Sequence, residues 1–297
     1  MSYKIRLIKD RLSANLFLVL SLFSILTVVL MGLGLYYKST PIFNESSLWH
    51  LLSSTEWKPF KNEFGFFSYI IGSLVVTVIA IVIALPLSLL SAIYIAEYAP
   101  HRLRQIIVPL IDLLSGIPPV VYGVWGVLTI VPYIGDHLAP HFVEFSSGYC
   151  ALAGGIVLAV MVFPLIISIL LEVFDTIPKE LKDASLSLGA TQWETIKKVV
   201  LKKAAPGIIA ATVLGISRAI GETLAVLMVC GNLPMIPHSL FDSVYPLPAL
   251  IANNYGDMMS IPMYESALML SALILFVIIF AFNAVSRLIL YRIENRA

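Results

Sequence analysis

The sequence predicts an all-α integral membrane protein with six transmembrane helices. Three observations predict it. Of 297 residues, 59% are hydrophobic and only 12% charged, about half the charged fraction of a soluble domain. The apolar residues gather into six runs, each long enough at about 1.5 Å per residue to cross a hydrocarbon core of about 30 Å. The positive charges alternate in side. With six spans, the N-terminus, the turn at 99–104, a polar segment at 178–206 and the C-terminus share one face and carry fifteen of the nineteen Lys and Arg. The opposite face has Lys38, Lys58 and Lys61, and Arg218 lies inside a span. Positive loops stay inside, so both termini and the polar segment are expected in the cytoplasm. A net charge of +1 gives no nucleic-acid signature.

The first run, Asn15 to Tyr37, follows a basic stretch of Lys4, Arg6, Lys9 and Arg11. It shows no clear small-x-small cleavage site, so it is expected to stay as the first span. Residues 38–66 are mixed, with Trp49 and Trp57 suited to a membrane–water interface. Phe66 to Tyr98 is longer than one span needs, and Pro86 predicts a kinked or tilted helix. The third span is expected from Gln105 to Val131, broken inside by Ser115-Gly-Ile-Pro118-Pro119, with Gly123-Val-Trp-Gly126 continuing the irregularity. Broken helices at membrane depth persist only inside protein or along a cavity. The fourth span is expected over Cys150–Leu171, the fifth over Gly207–Cys230 and the sixth over Met263–Ile289.

The segment from Pro178 to Pro206 holds six lysines and three acids. It predicts two short helices. Pro178 suits a first helical turn. Gly189 suits the left-handed position that ends a helix. Thr191 and Glu194 form a T-x-x-E capping box that opens the second. In the first helix Leu181, Ala184, Ser185 and Leu188 share a face; in the second Trp193, Ile196 and Val200 do. Such a hairpin between spans lies either on lipid headgroups or against a cytoplasmic protein.

Candidate chemistry is sparse. There is no G-x-x-x-x-G-K-[ST] and no H-E-x-x-H. His137 and His141, spaced i, i+4 beside Asp136 and Glu144, could hold a metal, but this outer segment is flanked by Pro and Gly and need not be helical. No metal site or catalytic residue is expected. Cys150 and Cys230 fall in apolar runs and read as small buried residues. Ser73, Ser88 and Ser115 are expected to bond to backbone. Glu97 and Asp112 are expected to pair with Arg102, Arg104 or the hairpin lysines. The exception is Ser217-Arg218-Ala-Ile-Gly221-Glu222-Thr223. Arg218 and Glu222 are one helical turn apart in span five and can meet. An intramembrane charge costs about 2.5–3.5 kcal/mol on insertion scales, so the pair either locks span five to a neighbour or marks a polar point on a solute path. Arginine presents a planar fork of donors suited to oxyanions.

Asp183-Ala184-Ser185, three residues, then Gly189 resembles the "EAA" loop of ABC-importer permeases. Asp183 and Ser185 depart conservatively from that pattern, and Lys202 stands where the family has proline, so Pro206-Gly207 is expected to supply the break. Four further stretches narrow the resemblance to phosphate-specific permeases of the PstC type: Ala84-Leu-Pro86-Leu; Tyr94-Ile-Ala-Glu97-Tyr-Ala-Pro100; Gly116-Ile-Pro118-Pro-Val-Val-Tyr122-Gly-Val-Trp125-Gly126; and Arg218-Ala-Ile-Gly221-Glu222-Thr-Leu-Ala-Val226 through Gly231-Asn232. The resemblance implies a type I ABC importer (MetI-like) permease fold. Residues 1–66 are a cytoplasmic tail, first span and external loop; residues 67–297 are a five-helix core with the coupling loop at 176–206. It implies Arg218, Glu222, Ser217 and Thr223 on the substrate path, and Asp183, Ala184, Ser185, Leu188, Gly189 and Ala190 in ATPase coupling. The implied function is one permease subunit of an ATP-driven importer of inorganic phosphate in the bacterial inner membrane. The implied partners are a PstA-like second permease, a PstB-like ATPase dimer that binds the ATP, and a PstS-like phosphate-binding protein; this chain needs no cofactor. The sister PstA type shares Arg-x-x-Gly-Glu-Thr. The Arg218 motif does not by itself separate phosphate from molybdate, sulfate or phosphonate. A membrane enzyme lacks a convergent nucleophile–base set here, and a stand-alone channel has no use for the hairpin.

Overall fold

The computed structural model describes residues 3–256 and 262–294. It is helical almost throughout, and six of the described helices are long and apolar enough to cross a membrane. The chain forms α1 (Tyr3–Glu45), α2 (Leu48–Ser53) and a two-stranded hairpin of β1 (Trp57–Lys58) and β2 (Glu63–Phe64). There follow α3 (Phe67–Tyr98), α4 (His101–Ser115), α5 (Pro119–His141), α6 (Ala151–Asp175), α7 (Lys179–Ser187), α8 (Gln192–Ile220), α9 (Leu224–Val229), α10 (Leu247–Asn254) and α11 (Pro262–Glu294).

The core is a seam between α3 and α6. Small residues let the two backbones approach: Ala80 and Ala84 face Gly154, Gly155 and Ala159 in the buried interior. A Cβ added at Gly155 would come within 2.3 Å of Ile79, so only glycine fits that crossing. Ser88 donates across the seam to the Phe163 carbonyl (3.3 Å). Ser73 and Ser115 likewise donate to backbone carbonyls, as expected. Cys150 and Cys230 are buried and unbridged, behaving as small apolar residues. α1 stands to one side against α11, with the apolar stretch of its span facing outward. Lys38 near its end pairs with Glu265 of α11 at 2.6 Å.

Four expectations from the sequence are corrected. The first span does not end at Tyr37; α1 continues through Pro41 to Glu45. The third span is not Gln105–Val131. The Ser115–Pro118 break separates a shorter helix, α4, from the span proper, α5, which starts at Pro119. Prolines at 118 and 119 deny backbone donors to a continuing ladder while suiting a helix start. Gly123–Gly126 is helical after all, and α5 absorbs its surplus length in π-type turns at Gly126–Ile130 and Ile134–Leu138. The fifth span does not begin at Gly207 or reach Cys230. α8 runs unbroken through Pro206, from Gln192 to Ile220. A proline forfeits one backbone bond, and neighbouring helices can compensate in a membrane protein. The Trp57 ring meets Phe64, Phe66, Tyr69 and Tyr264 edge-on, at 5.1–5.9 Å between centroids. Trp49 is exposed.

Candidate functional site

Two places concentrate the polar groups: the broken end of α8 at membrane depth, and the hairpin that opens α8 at its other end. At the first, helix geometry decides what the side chains can do. α8 stops at Ile220 with Gly221 at its C-cap, and a new helix starts at Leu224. The i, i+4 relation of Arg218 and Glu222 presumes a helix through both, and there is none. The expected ion pair is therefore not formed. Glu222 turns toward α9, where its Oε1 lies 3.5 Å from the Ala225 N–H. Thr223 Oγ1 donates to the Gly221 carbonyl (3.3 Å) within the break. Ser217 accepts a hydrogen bond from Asn283 of α11 at 3.2 Å. Arg218 is exposed on this chain and, among the described residues, has no carboxylate partner.

The second break, at 115–118, comes to the same region. The Tyr122 hydroxyl donates back to the Leu114 carbonyl (2.8 Å), stitching α4 to α5 across the gap. A Cβ at Gly123 would meet Met228 at 2.7 Å and the Ala225 Cα at 3.2 Å, so α5 and α9 touch along their backbones. One turn before Arg218, a cavity of about 400 Å³ lies between α8 and α11, lined by Val213, Leu214, Asn283 and Arg287. Tyr122 and Asn283 were not singled out from sequence. Asn283 had a signal, being a lone amide in the sixth apolar run; Tyr122 had one in its place within a stretch that carries the PstC resemblance, but no role was assigned to it. The arrangement offers a guanidinium exposed on this chain, next in sequence to Ser217 and its Asn283 partner, where the backbone is irregular. That is a set of donors for an oxyanion, with the Glu222 carboxylate close in sequence but not neutralising it.

The hairpin folds as its residues dictate. α7 begins after Pro178, which is its N-cap rather than its first helical residue. Gly189 takes φ +86°. Its N–H donates to Leu186 O (3.0 Å) and that of Ala190 to Ser185 O (3.3 Å), closing the C-terminus of α7. Thr191 and Glu194 form the capping box: Thr191 Oγ1 accepts from the Glu194 N–H at 3.3 Å, and Thr191 N–H donates to Glu194 Oε2 at 3.1 Å. Ser185 and Thr195 join the two helices hydroxyl to hydroxyl at 2.9 Å. Asp183, Ala184, Leu188 and Gly189 face solvent, with Leu188 89% exposed; Ser185 and Ala190 are half-covered. A leucine so exposed beside exposed Leu181, Leu186 and Trp193 is an apolar patch on a polar hairpin, the pattern of an unfilled protein contact.

Glu97 pairs with the hairpin's Lys182, as expected. Asp112 does not pair with Arg102 or Arg104; it accepts from Ser168 (3.4 Å), while Arg104 pairs with Asp175. His137 and His141 lie on α5, but the His141 ring donates to the His137 carbonyl and His137 stacks on Tyr133. Among the described residues no three His, Cys, Asp or Glu side chains converge as a metal site.

Residues 84–297 match the family described as binding-protein-dependent transport system inner membrane component. The chain is 38% identical over 257 residues to the phosphate transport system permease protein PstC of Xylella fastidiosa, covering 82% of this chain and 79% of that protein. It is 34% identical over 295 residues to PstC of Pasteurella multocida, covering 95% and 89%. It is 35% identical over 274 residues to a probable PstC of Methanocaldococcus jannaschii, covering 87% and 86%. Among solved structures, a chain of the bacterial alginate ABC transporter in complex with alginate pentasaccharide-bound periplasmic protein superposes with a TM-score of 0.63. It shares 15% identity, over 96% of this chain and 98% of that one. A chain of the inward-facing MetNI methionine ABC transporter superposes with a TM-score of 0.58 at 16% identity, over 75% and 93%. At such identities the likeness is one of fold.

Proposed function

The chain belongs to the family of binding-protein-dependent transport system inner membrane components, among its PstC-type members, and we propose on that premise that it forms part of the phosphate path of an ATP-driven importer. One observation carries the reading. Arg218, without a carboxylate partner among the described residues, stands at the break after α8, and the same helix begins at the exposed cytoplasmic hairpin. A guanidinium that is neither neutralised nor sealed in protein offers an oxyanion several donors at once.

In this reading the spans from residue 67 onward line the path with a second permease subunit, and residues 1–66 are peripheral to it. The charge asymmetry supports a cytoplasmic location for both termini and the hairpin. There Asp183, Ala184, Ser185, Leu188, Gly189 and Ala190 present the surface on which an ATPase subunit docks. A phosphate-binding protein delivers cargo at the opposite face. ATP is bound by the partner, and this chain supplies the donors: Arg218 receives the anion, Ser217 and Thr223 offer hydroxyls beside it, and Glu222 keeps the site from holding the anion too long.

The test is ATP-dependent uptake of labelled phosphate into vesicles carrying this chain, its permease partner, the ATPase and the binding protein. The Arg218→Gln variant assembles at normal stoichiometry and loses uptake. Wild-type uptake by that variant returns Arg218 to a structural role. Transport of sulfate or molybdate in preference to phosphate overturns the cargo.

A further inference from the structure

The hairpin is fastened to the membrane part of the chain in two ways. Its second helix is the start of α8 and its first follows α6 after residues 176–178, so those connections are covalent. The other fastening converges on Glu97, at the cytoplasmic end of α3. Lys182, from the first hairpin helix, places its Nζ 2.5 Å from the Glu97 carboxylate. Gln192, from the second, donates its Nε2–H to the Glu97 main-chain carbonyl at 2.7 Å. Both helices therefore hold one residue. The carbonyl is among the last four of its helix, which lack an intrahelical donor, and the π-type turn at Tyr94–Tyr98 carries it. The ion pair is sheltered, with side chains 22% and 10% exposed. A sheltered pair is firmer than a surface one because parting it leaves a poorly solvated charge behind.

We propose that Glu97 is the positioning residue through which movement of the hairpin is passed to α3, and through the α3–α6 seam to the rest of the path. The inference rests on reading the hairpin as the ATPase-docking element. Three features carry it. The hairpin is a unit in itself, closed by the Gly189 turn, the capping box and the Ser185–Thr195 contact. α3 and α6 are locked together by small residues along their length. Covalent continuity reaches α8 directly and α6 through residues 176–178, but not α3, so α3 has its own attachment, which Lys182 and Gln192 provide on a single residue. Glu97 neither touches cargo in this scheme nor faces the ATPase; it acts through the two hairpin side chains that grip it.

The experiment uses the full complex and three versions of the chain: wild type, Glu97→Gln, and the exchanged pair Glu97→Lys with Lys182→Glu. Two quantities are read together, phosphate moved per ATP hydrolysed and the distance between spin labels at positions 98 and 187 with and without ATP. In wild type the label distance stays narrow in both states. In Glu97→Gln the complex purifies intact, ATP hydrolysis persists, phosphate moved per ATP falls roughly tenfold, and the distance distribution broadens. The exchanged pair restores both. Uptake and hydrolysis falling in proportion, with no broadening, shows that Glu97 serves only to hold the hairpin for docking and overturns the proposal, as do unchanged values in Glu97→Gln. Should wild type move no phosphate, the cargo reading fails, while the label distances still decide whether Glu97 ties the hairpin to α3.

Discussion

Gly189 allows the docking role of the hairpin to be tested with little ambiguity, because its two reasons for being glycine can be separated. Its φ is +86°, a region that costs an L-residue about 1–2 kcal/mol. A Cβ built there meets nothing within 4 Å, so this chain imposes no steric cost on a methyl group. Gly189→Ala therefore carries the backbone cost alone. An undocked hairpin relieves that strain by opening the turn, and the docked one cannot, so the penalty falls on docking. At about 0.59 kcal/mol per RT, 1–2 kcal/mol weakens binding about five- to thirtyfold. Gly189→Asn recovers part of the loss, since asparagine tolerates the left-handed region. Gly189→Arg adds bulk at the contact and loses more than alanine. The assay is titration of the ATPase onto the purified permease pair, read by ATP hydrolysis or fluorescence anisotropy. Equal affinity for Gly and Ala refutes the argument that the turn is needed for docking. Equal loss with Ala and Asn refutes the argument that the left-handed backbone is the cause.

Thr191→Ala removes the acceptor for the Glu194 N–H, costs about 1 kcal/mol of helix start and weakens ATPase binding in the same titration, whereas Thr191→Ser retains it. Gly155→Val drives a Cβ to 2.3 Å from Ile79 Cγ2 and 2.6 Å from its Cβ; overpacking of about 1–3 kcal/mol lowers the thermal midpoint of the detergent-solubilised protein, while Gly34→Ala, with open space around it on a helix, does not lower it. Tyr122→Phe deprives the Leu114 carbonyl of its 2.8 Å donor, about 1 kcal/mol, and slows uptake while assembly, measured by subunit co-purification, stays normal.

Local chemistry was the most legible part of the sequence. Thr191-x-x-Glu194 and Gly189 each name a backbone conformation with its cause, and both formed as written. The six apolar runs gave the number of spans because burying an unpaired peptide group in lipid is costly wherever it occurs. The errors came where one residue type has two outcomes. Pro206 was expected to end a helix and sits inside one; Pro118 and Pro119 were expected within a span and mark its beginning. Composition cannot tell these apart, since the lost bond is made good, or not, by neighbours far along the chain. The Arg218–Glu222 spacing failed for a related reason: i, i+4 proximity needs an intact helix, and Gly221 ends it. Asn283 and Glu97 acquire their partners across 66 and 85 residues of chain, a juxtaposition that only the fold creates.

The unbroken run of α8 through Pro206 has a geometrical consequence. From Gln192 to Arg218 the helix rises about 40 Å at 1.5 Å per residue, with the hairpin at one end and the guanidinium at the other. If the docked end is fixed, a tilt of about 10° carries the far end through about 7 Å, more than the reach of a hydrogen bond. Such a tilt is enough to withdraw the arginine from an anion or present it, with no rotamer change and no relay of contacts between them. The π-type turn at Ile196–Val200 lies within a turn or two of the docked end. Any compliance it adds acts at the pivot, where bending alters the angle of the lever without shortening its arm.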